Sequence, residues 1–333
     1  MNSNFDHSLN EGIVYKKTIG TYFVHQDGRV LPCSISNKLR KQLLYPTANP
    51  NSIRRRVVGV KDITTIDPVA IGDRVAFVDA QDGTGVIHEI LPRDNKLVRR
   101  SAVPMPTAHP FEQIIVTNLD QVAPILSAAQ PEPKWNLLDR YLVSAESAGL
   151  PALVVVTKMD LLSEQERLGM DRELEVYRRA GYPVVKTSVV KMEGLEALRG
   201  CLQRKMTVFM GKSGVGKTTL LNAIQPGLGL RVNEVNEKTG KGKHTTTHLE
   251  MFPLEFGGSI VDTPGMREFG MWEVDGSDMA DLFPEIRPWI GRCRFGLDCI
   301  HDHEPGCAVR QAVMQGAISE RRYRSYLQLR EEV

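Results

Sequence analysis

The chain has 333 residues, 42 Lys/Arg against 40 Asp/Glu, a formal net charge of +2 and a hydrophobic fraction of 41%, which is ordinary for a globular protein long enough to form two or three domains with their own cores. No apolar run approaches the length of a membrane span, and the opening MNSNFDHSLNEG is polar, with no signal-peptide core. That composition excludes a spanning helix, and the expectation is a cytoplasmic monomer with no membrane partner.

Charge is unevenly spread, because residues 1–105 hold 15 Lys/Arg against 10 Asp/Glu, a net of +5. After a disordered N-terminus, this segment reads as short β-branched runs: GIVYKK, TYFVH, RVLPC, GDRVAFV, TGVIHEI and KLVRR, with turns at Asp27-Gly28 and Asp82-Gly83. Five or six such strands predict a small β-barrel of the OB type over residues 1–105. Lys38, Arg40, Lys41, Arg54, Arg55, Arg56, Arg99 and Arg100 fall in or beside the inferred loops. Contact with an RNA phosphate backbone and a plain solvated basic surface account for them equally well. Leu44–Ile53 reads as a long loop. Three prolines between Val103 and Pro110 break the pattern and mark a domain boundary.

From Phe111 strands and helices alternate: EQIIVTN and APILSA as strands, WNLLDRYLVSAESAG as a helix, PALVVVTKMD as a buried strand, Glu164 to Ala180 as a helix, then PVVKTS. Continuous apolar runs suit parallel strands covered on both faces, so residues 106–275 predict an α/β nucleotide-binding domain. Thr157-Lys158-Met159-Asp160 ends one such strand and resembles the guanine-reading N-K-x-D element, with Thr in place of Asn. A carboxylate at Asp160 accepts from N1–H and the 2-amino group of guanine, whereas adenine would leave it unpaired. The bland reading makes Asp160 a helix N-cap. Thr187-Ser188 ends the next strand, where Ser188 would support the base.

Gly211-Lys212-Ser213-Gly214-Val215-Gly216-Lys217-Thr218 then fits G-x-x-x-x-G-K-[ST] between a strand and a helical pattern. The glycines bring backbone N–H groups against a β-phosphate, and the helix points its positive end at the same anion. Lys217 reaches the β and γ oxygens, and Thr218, with Thr219 beside it, lies at the Mg²⁺ position. Gly240–Thr247, GKGKHTTT, reads as a mobile loop whose Thr246 supplies a second Mg²⁺ hydroxyl. In Asp262-Thr263-Pro264-Gly265, Asp262 would hold a water on Mg²⁺ and the Gly265 N–H would meet the γ-phosphate. Met266 follows, where many GTPases place a water-orienting glutamine, so His244 is the chain's candidate for that role. Lys217, Thr246 and His244 form the expected catalytic set.

In ordinary GTPases the phosphate loop comes first, whereas here the base-reading elements precede it, so the domain is circularly permuted. GKSGVGKT (211–218), GKGKHTTT (240–247), DTPG (262–265), TKMD (157–160), NLLDRYLVSAE (136–146) and CIHDHEPGCAV (299–309) together resemble the circularly permuted ribosome small subunit-dependent GTPase A family. The resemblance implies an N-terminal OB barrel, a permuted GTPase domain and a C-terminal zinc domain. It also implies GTP hydrolysis to GDP, coupled to late maturation of the small ribosomal subunit and its rRNA.

Five cysteines are present, and three of them crowd the C-terminal segment, 276–333. Cys293, Cys299, His301 and Cys307 offer a complete tetrahedral set for one structural Zn²⁺ in a small helical domain; His303 could substitute for His301, and the resemblance favours His301. The family spacing is C-x4-C-x-H-x5-C, so the first gap here is one residue longer, which puts the local turn in question. Ser319 reads as the N-cap of a helix with a basic, aromatic face, SERRYRSY, which suits RNA or protein contact or simple solvation. Two other functions remain open to the sequence alone: a nucleotide-dependent RNA-binding module in which hydrolysis is incidental, and an ATP-using P-loop protein, which Asp160 disfavours.

Overall fold

The computed structural model describes residues 9–18, 20–44, 69–100, 112–228, 250–262 and 278–332. They divide into two units, one made chiefly of the described residues up to Leu119 and the other chiefly of those from Asp120 onward.

The first unit contains β1 (Asn10–Thr18), β2 (Thr21–Gln26), β3 (Arg29–Ile35), α1 (Asn37–Leu44), β4 (Arg74–Asp79) and β5 (Gly85–Ile90). β1, β2 and β3 form an antiparallel meander, β3 runs parallel to β5, and β5 and β4 are antiparallel. β4 returns to β1, with Asn10 opposite Phe77, and closes a five-stranded barrel. Asp27 and Gly28 both have positive φ, 46° and 79°, as the tight β2–β3 hairpin requires. Two glycines line the barrel because nothing larger fits: a Cβ at Gly12 would lie 2.4 Å from Val24 Cγ1, and one at Gly85 2.7 Å from Cys33 Sγ. Val14, Val24, Val75, Phe77 and Ile87 fill the interior without solvent exposure.

Two features of this unit differ from the sequence reading. Lys38, Arg40 and Lys41 stand exposed on a helix rather than in a loop, because Ser36 Oγ accepts the Leu39 N–H at 3.1 Å and buries Leu39 beneath it. The KLVRR run forms a strand as read, β6 (Lys96–Arg100), with Arg99 and Arg100 at its end, but it pairs antiparallel with β7 (Glu112–Thr117). β7 is the EQIIVTN run, expected in the parallel sheet. It is tied to the barrel instead, since buried Asp73 accepts from Thr117 Oγ1 at 2.8 Å, from Arg93 Nε at 2.7 Å and from the Ala70 N–H at 2.7 Å. Arg54, Arg55, Arg56 and most of the Leu44–Ile53 loop lie outside the described residues.

In the second unit β8 (Gln121–Ser127), β9 (Val154–Thr157), β10 (Val184–Lys186) and β11 (Met206–Met210) form a parallel sheet in the order β10-β9-β8-β11. The helices between and after them are α2 (Trp135–Ser147), α3 (Glu164–Arg179), α4 (Leu195–Leu202) and α5 (Lys217–Ile224). α3 starts on a full capping box, in which Ser163 Oγ accepts the Glu166 N–H and the Glu166 carboxylate accepts the Ser163 N–H. Ile125, Val155, Phe209, Leu198 and Leu220 make one continuous core between sheet and helices. β12 (Glu250–Pro253) and β13 (Ser259–Asp262) follow α5 in the chain, with Glu250–Phe252 and Val261–Asp262 belonging to the first unit.

The C-terminal residues of this unit form short 3-10 turns, then α6 (Ala308–Met314) and α7 (Glu320–Glu331). Their core holds Phe283, Ile286, Val309, Ala312, Tyr326 and the three clustered cysteines, together with Val143 of α2. α2 is therefore buried on two sides.

Candidate nucleotide site and metal centre

β11 ends in the phosphate loop. Gly211 is required by its neighbours, since a Cβ there would lie 2.6 Å from the Ile125 carbonyl oxygen of β8. Gly214 and Gly216 have φ of 85° and 91°, a region that L side chains rarely adopt. Gly216 is the N-cap of α5, so Lys217 opens the helix. Its ammonium folds back over the loop and donates to the Gly211 carbonyl at 2.7 Å and the Lys212 carbonyl at 3.3 Å. Lys212, Ser213 and Thr219 are exposed, Gly214 and Thr218 are half-buried, and Val215 is buried, anchoring the loop in the core.

The residues expected to read a base come from the neighbouring strand ends. Thr157, the last residue of β9, donates its hydroxyl to the Val215 carbonyl at 2.5 Å. Lys158 sits in the left-handed region, φ 58°, and donates its ammonium to the Gly214 carbonyl at 2.8 Å and to the Gln130 carbonyl. Burial pushes the Lys158 pKa down, and Asp160 opposes that shift. Asp160 Oδ1 accepts from the hydroxyl of fully buried Ser188 at 2.6 Å. Ser188 Oγ in turn accepts the Lys191 N–H at 3.0 Å. Thr187 fastens β10 to β9, its N–H reaching the Val156 carbonyl at 2.7 Å.

Thus Thr157, Lys158, Asp160, Ser188 and the loop from Gly211 to Thr218, distant in sequence, lie at one end of adjacent parallel strands. That end is where open α/β sheets bind ligands. Thr157, in the place of the usual Asn, has its hydroxyl committed to the loop, whereas the Asp160 carboxylate accepts from Ser188 through Oδ1. Asp262 closes β13, while its side chain, together with His244, Thr246 and Gly265, lies outside the described residues. The sequence reading missed Gln130, whose carbonyl receives Lys158; the flanking Pro131 and Pro133 were the available signal.

In the C-terminal part, Cys293, Cys299, His301 and Cys307 are all buried, and their ligand atoms lie within 4.8 Å of one another. His301 Nδ1 is 3.4 Å from Cys293 Sγ and 3.6 Å from Cys307 Sγ, and these two sulfurs are 3.8 Å apart, far beyond a disulfide bond. The six-residue step from Cys293 to Cys299 is a turn, closed by the Gly296 N–H on the Cys293 carbonyl at 2.9 Å and continued as a 3-10 helix over Gly296–Asp298. The longer gap leaves the cluster intact. Backbone N–H groups of Ala308 and Arg310 point at Cys293 Sγ (3.3 Å) and Cys307 Sγ (3.5 Å), an arrangement that favours thiolate. Burial, with the neighbouring Cys293 and Cys307 adding to it, pushes the Cys299 thiol up to about 12, and burial pushes His301 down and keeps it neutral, so a bound cation is what would ionise the thiols.

The basic, aromatic face of α7 is a packing face rather than a free one. Arg322 and Tyr326 are buried, Arg321 is mostly buried, and Arg324 alone of the three arginines stands in solvent, paired with Glu320. Ser319 is the N-cap residue but makes no side-chain cap bond. Arg321 and Arg322 both reach Asp139 of α2.

A family model described as RsgA GTPase matches residues 90–272. The chain is 46% identical over 267 residues to the small ribosomal subunit biogenesis GTPase RsgA of Gemmatimonas aurantiaca, covering 80% of this chain and 84% of that one. It is 38% identical over 323 residues to the protein of the same description from Bacteroides fragilis, covering 97% and 96%. Among solved structures it is similar to YjeQ from Thermotoga maritima, with a TM-score of 0.75, 31% identity and coverage of 97% and 98%. It is also similar to YloQ, described as a circularly permuted GTPase, with a TM-score of 0.70, 29% identity and coverage of 100% and 97%.

Proposed function

The chain belongs to the RsgA GTPase family, and from that premise we infer that it hydrolyses GTP in the maturation of the small ribosomal subunit. The observation that carries this reading is that Thr157 and Lys158 bond to the phosphate loop while Asp160 and Ser188 pair at the neighbouring strand ends, in permuted order. Comparing GTP turnover with and without small subunits tests it: strong stimulation is expected, and none would favour a binding module in which hydrolysis is incidental.

We propose the following roles. Asp160, held by Ser188, reads guanine; Asp160→Asn should weaken GTP binding and favour xanthine nucleotides, whose 2-oxo group accepts from the new amide. Equal binding of ATP and GTP by the wild-type protein would remove this assignment. Lys217 holds the β and γ oxygens, and Thr218, Thr246 and Asp262 hold Mg²⁺, which would neutralise charge on the phosphates.

With a thioether at Met266, His244 orients water when its loop closes on the small subunit. Basal hydrolysis should therefore be slow, and His244→Ala should bind GTP normally yet lose about 100-fold or more of stimulated turnover, the usual scale for a lost general base. Stimulated turnover at the wild-type rate in that variant would assign water positioning to the ribosome.

The metal of the C-terminal cluster is zinc in this reading. Zinc–sulfur bonds of about 2.3 Å and zinc–nitrogen bonds of about 2.0–2.1 Å in a tetrahedron set sulfur–sulfur edges of about 3.8 Å and sulfur–nitrogen edges of about 3.6 Å. The separations of 3.8, 3.4 and 3.6 Å among Cys293, His301 and Cys307 fit those edges, and all four ligand atoms, that of Cys299 included, lie within 4.8 Å of one another. We also assign the chain three functional parts: an RNA-contacting barrel over residues 1–105, the GTPase part over 106–275 and the zinc part over 276–333. They act together as a cytoplasmic monomer.

A further inference from the structure

Beside the phosphate loop, within the second unit, lies an open cavity of about 560 Å³. Its lining comes from the segment entering α2 and the first turns of that helix, from Lys212 of the phosphate loop and from Arg321 of α7. Four of the lining residues, Lys134, Arg140, Lys212 and Arg321, are cations, and no carboxylate is among them. Arg140 and Arg321 are answered from behind the lining by Glu332 and by Asp139 and Glu173, whereas no carboxylate among the described residues pairs with Lys134 or Lys212, so an anion entering the cavity would meet two uncompensated charges. The helix end adds to the field, since α2 has no acidic residue in its first turn and no side-chain cap on its N-terminal N–H groups. Arg321 spends Nε on Glu173 and Nη1 on Tyr177 and Asp139, while its buried Nη2 finds no acceptor among the described residues.

Building on the functional reading above, we propose that this cavity is a docking site for the phosphodiester backbone of small-subunit RNA. The lining offers mostly donors. A phosphodiester chain presents acceptor oxygens to match them, whereas a peptide would bring one N–H per residue with few acceptors to meet it. Lys134 and Lys212 are exposed and reach an incoming phosphate as point charges. Arg140, on the rim, is paired with Glu332, so that carboxylate competes with RNA. Because Lys212 belongs to the phosphate loop, an RNA strand seated here touches the loop that holds the nucleotide.

The test measures binding of the full-length protein, loaded with a non-hydrolysable GTP analogue, to small subunits and to protein-free rRNA across a salt series. Lys134→Gln/Arg140→Gln, with a melting temperature like that of the wild type, should bind both about 10-fold more weakly. Its plot of log affinity against log salt should be shallower by about 1.4, two lost contacts at about 0.7 each for single-stranded RNA. Glu332→Gln, which removes the competing carboxylate, should bind more tightly, an outcome that a purely structural role for Arg140 does not produce. Unchanged affinity and slope in both variants would overturn the proposal. Weakening on intact subunits but not on protein-free rRNA would also overturn it and assign the cavity to a ribosomal protein. Wild-type protein that fails to bind subunits at all would overturn the functional reading and this proposal with it.

Discussion

Asp139→Ala should lower stability by about 3–5 kcal/mol, the usual cost of breaking a buried ion pair by removing one partner, and so lower the melting temperature by on the order of 10 °C. Asp139 is fully buried on α2. Its Oδ1 accepts from Tyr177 Oη at 2.7 Å and Arg322 Nη1 at 2.8 Å, and its Oδ2 from Ser325 Oγ at 2.5 Å and Arg321 Nη1 at 3.3 Å. Arg322 has no solvent exposure and no way to shed its charge. Burial alone would push its pKa down, but Asp139 and Glu285 more than reverse that and hold it charged. Glu285 takes its Nε at 2.6 Å and Nη2 at 3.1 Å, and the guanidinium lies over Phe283, 4.6 Å from the ring centroid.

Without Asp139 the guanidinium keeps one carboxylate, and the hydroxyls of Tyr177 and Ser325 lose their acceptor. The double variant Asp139→Leu/Arg322→Met removes both charges together and should lie closer to the wild type than either single change. Denaturant or thermal unfolding checks this. An Asp139→Ala midpoint at the wild-type value would show that the network adds nothing.

That network also marks where the sequence stopped being informative. The phosphate loop, TKMD and the Cys/His cluster were legible because each is local: its chemistry needs fixed residue types at fixed spacing, and the fold then brings the pieces together. The five barrel strands were legible from alternation and Asp-Gly turns. Asp139 and Arg322 are 183 residues apart, so no window of sequence contains both. The one local sign was an acid on the otherwise apolar face formed by Leu138 and Leu142. β7 misled for a related reason. EQIIVT is apolar enough for a parallel sheet, but its partner was decided by Asp73 and Arg93, which hold Thr117 to the start of β4. In α7, charge count suggested an exposed face, whereas Arg321 and Arg322, two of its four arginines, had carboxylates waiting on α2 and beyond.

Removing the metal should take away the order of the C-terminal part while leaving the nucleotide site standing. α6 has 7 residues and α7 has 12, too short to be stable helices alone, and the three cysteines are themselves members of the core they pack against. Ligation of one structural zinc contributes roughly 10–16 kcal/mol in comparable small zinc modules, more than so small a core supplies by burial. The phosphate-loop core shares no residue with this one, so guanine nucleotide binding should survive chelation.

Cys307→Ser separates the metal from the local cap. Cys307 is the N-cap of α6 and its sulfur accepts the Arg310 N–H, a bond that serine can also make, but its hydroxyl is a poor replacement for a zinc-binding thiolate. Elemental analysis should find about one zinc per wild-type chain and much less in Cys307→Ser. In that variant, as in chelated wild type, amide hydrogens of α6 and α7 should exchange orders of magnitude faster. Metal-free protein with α6 and α7 as well protected as before would show that the four donors pack as neutral side chains and hold no ion.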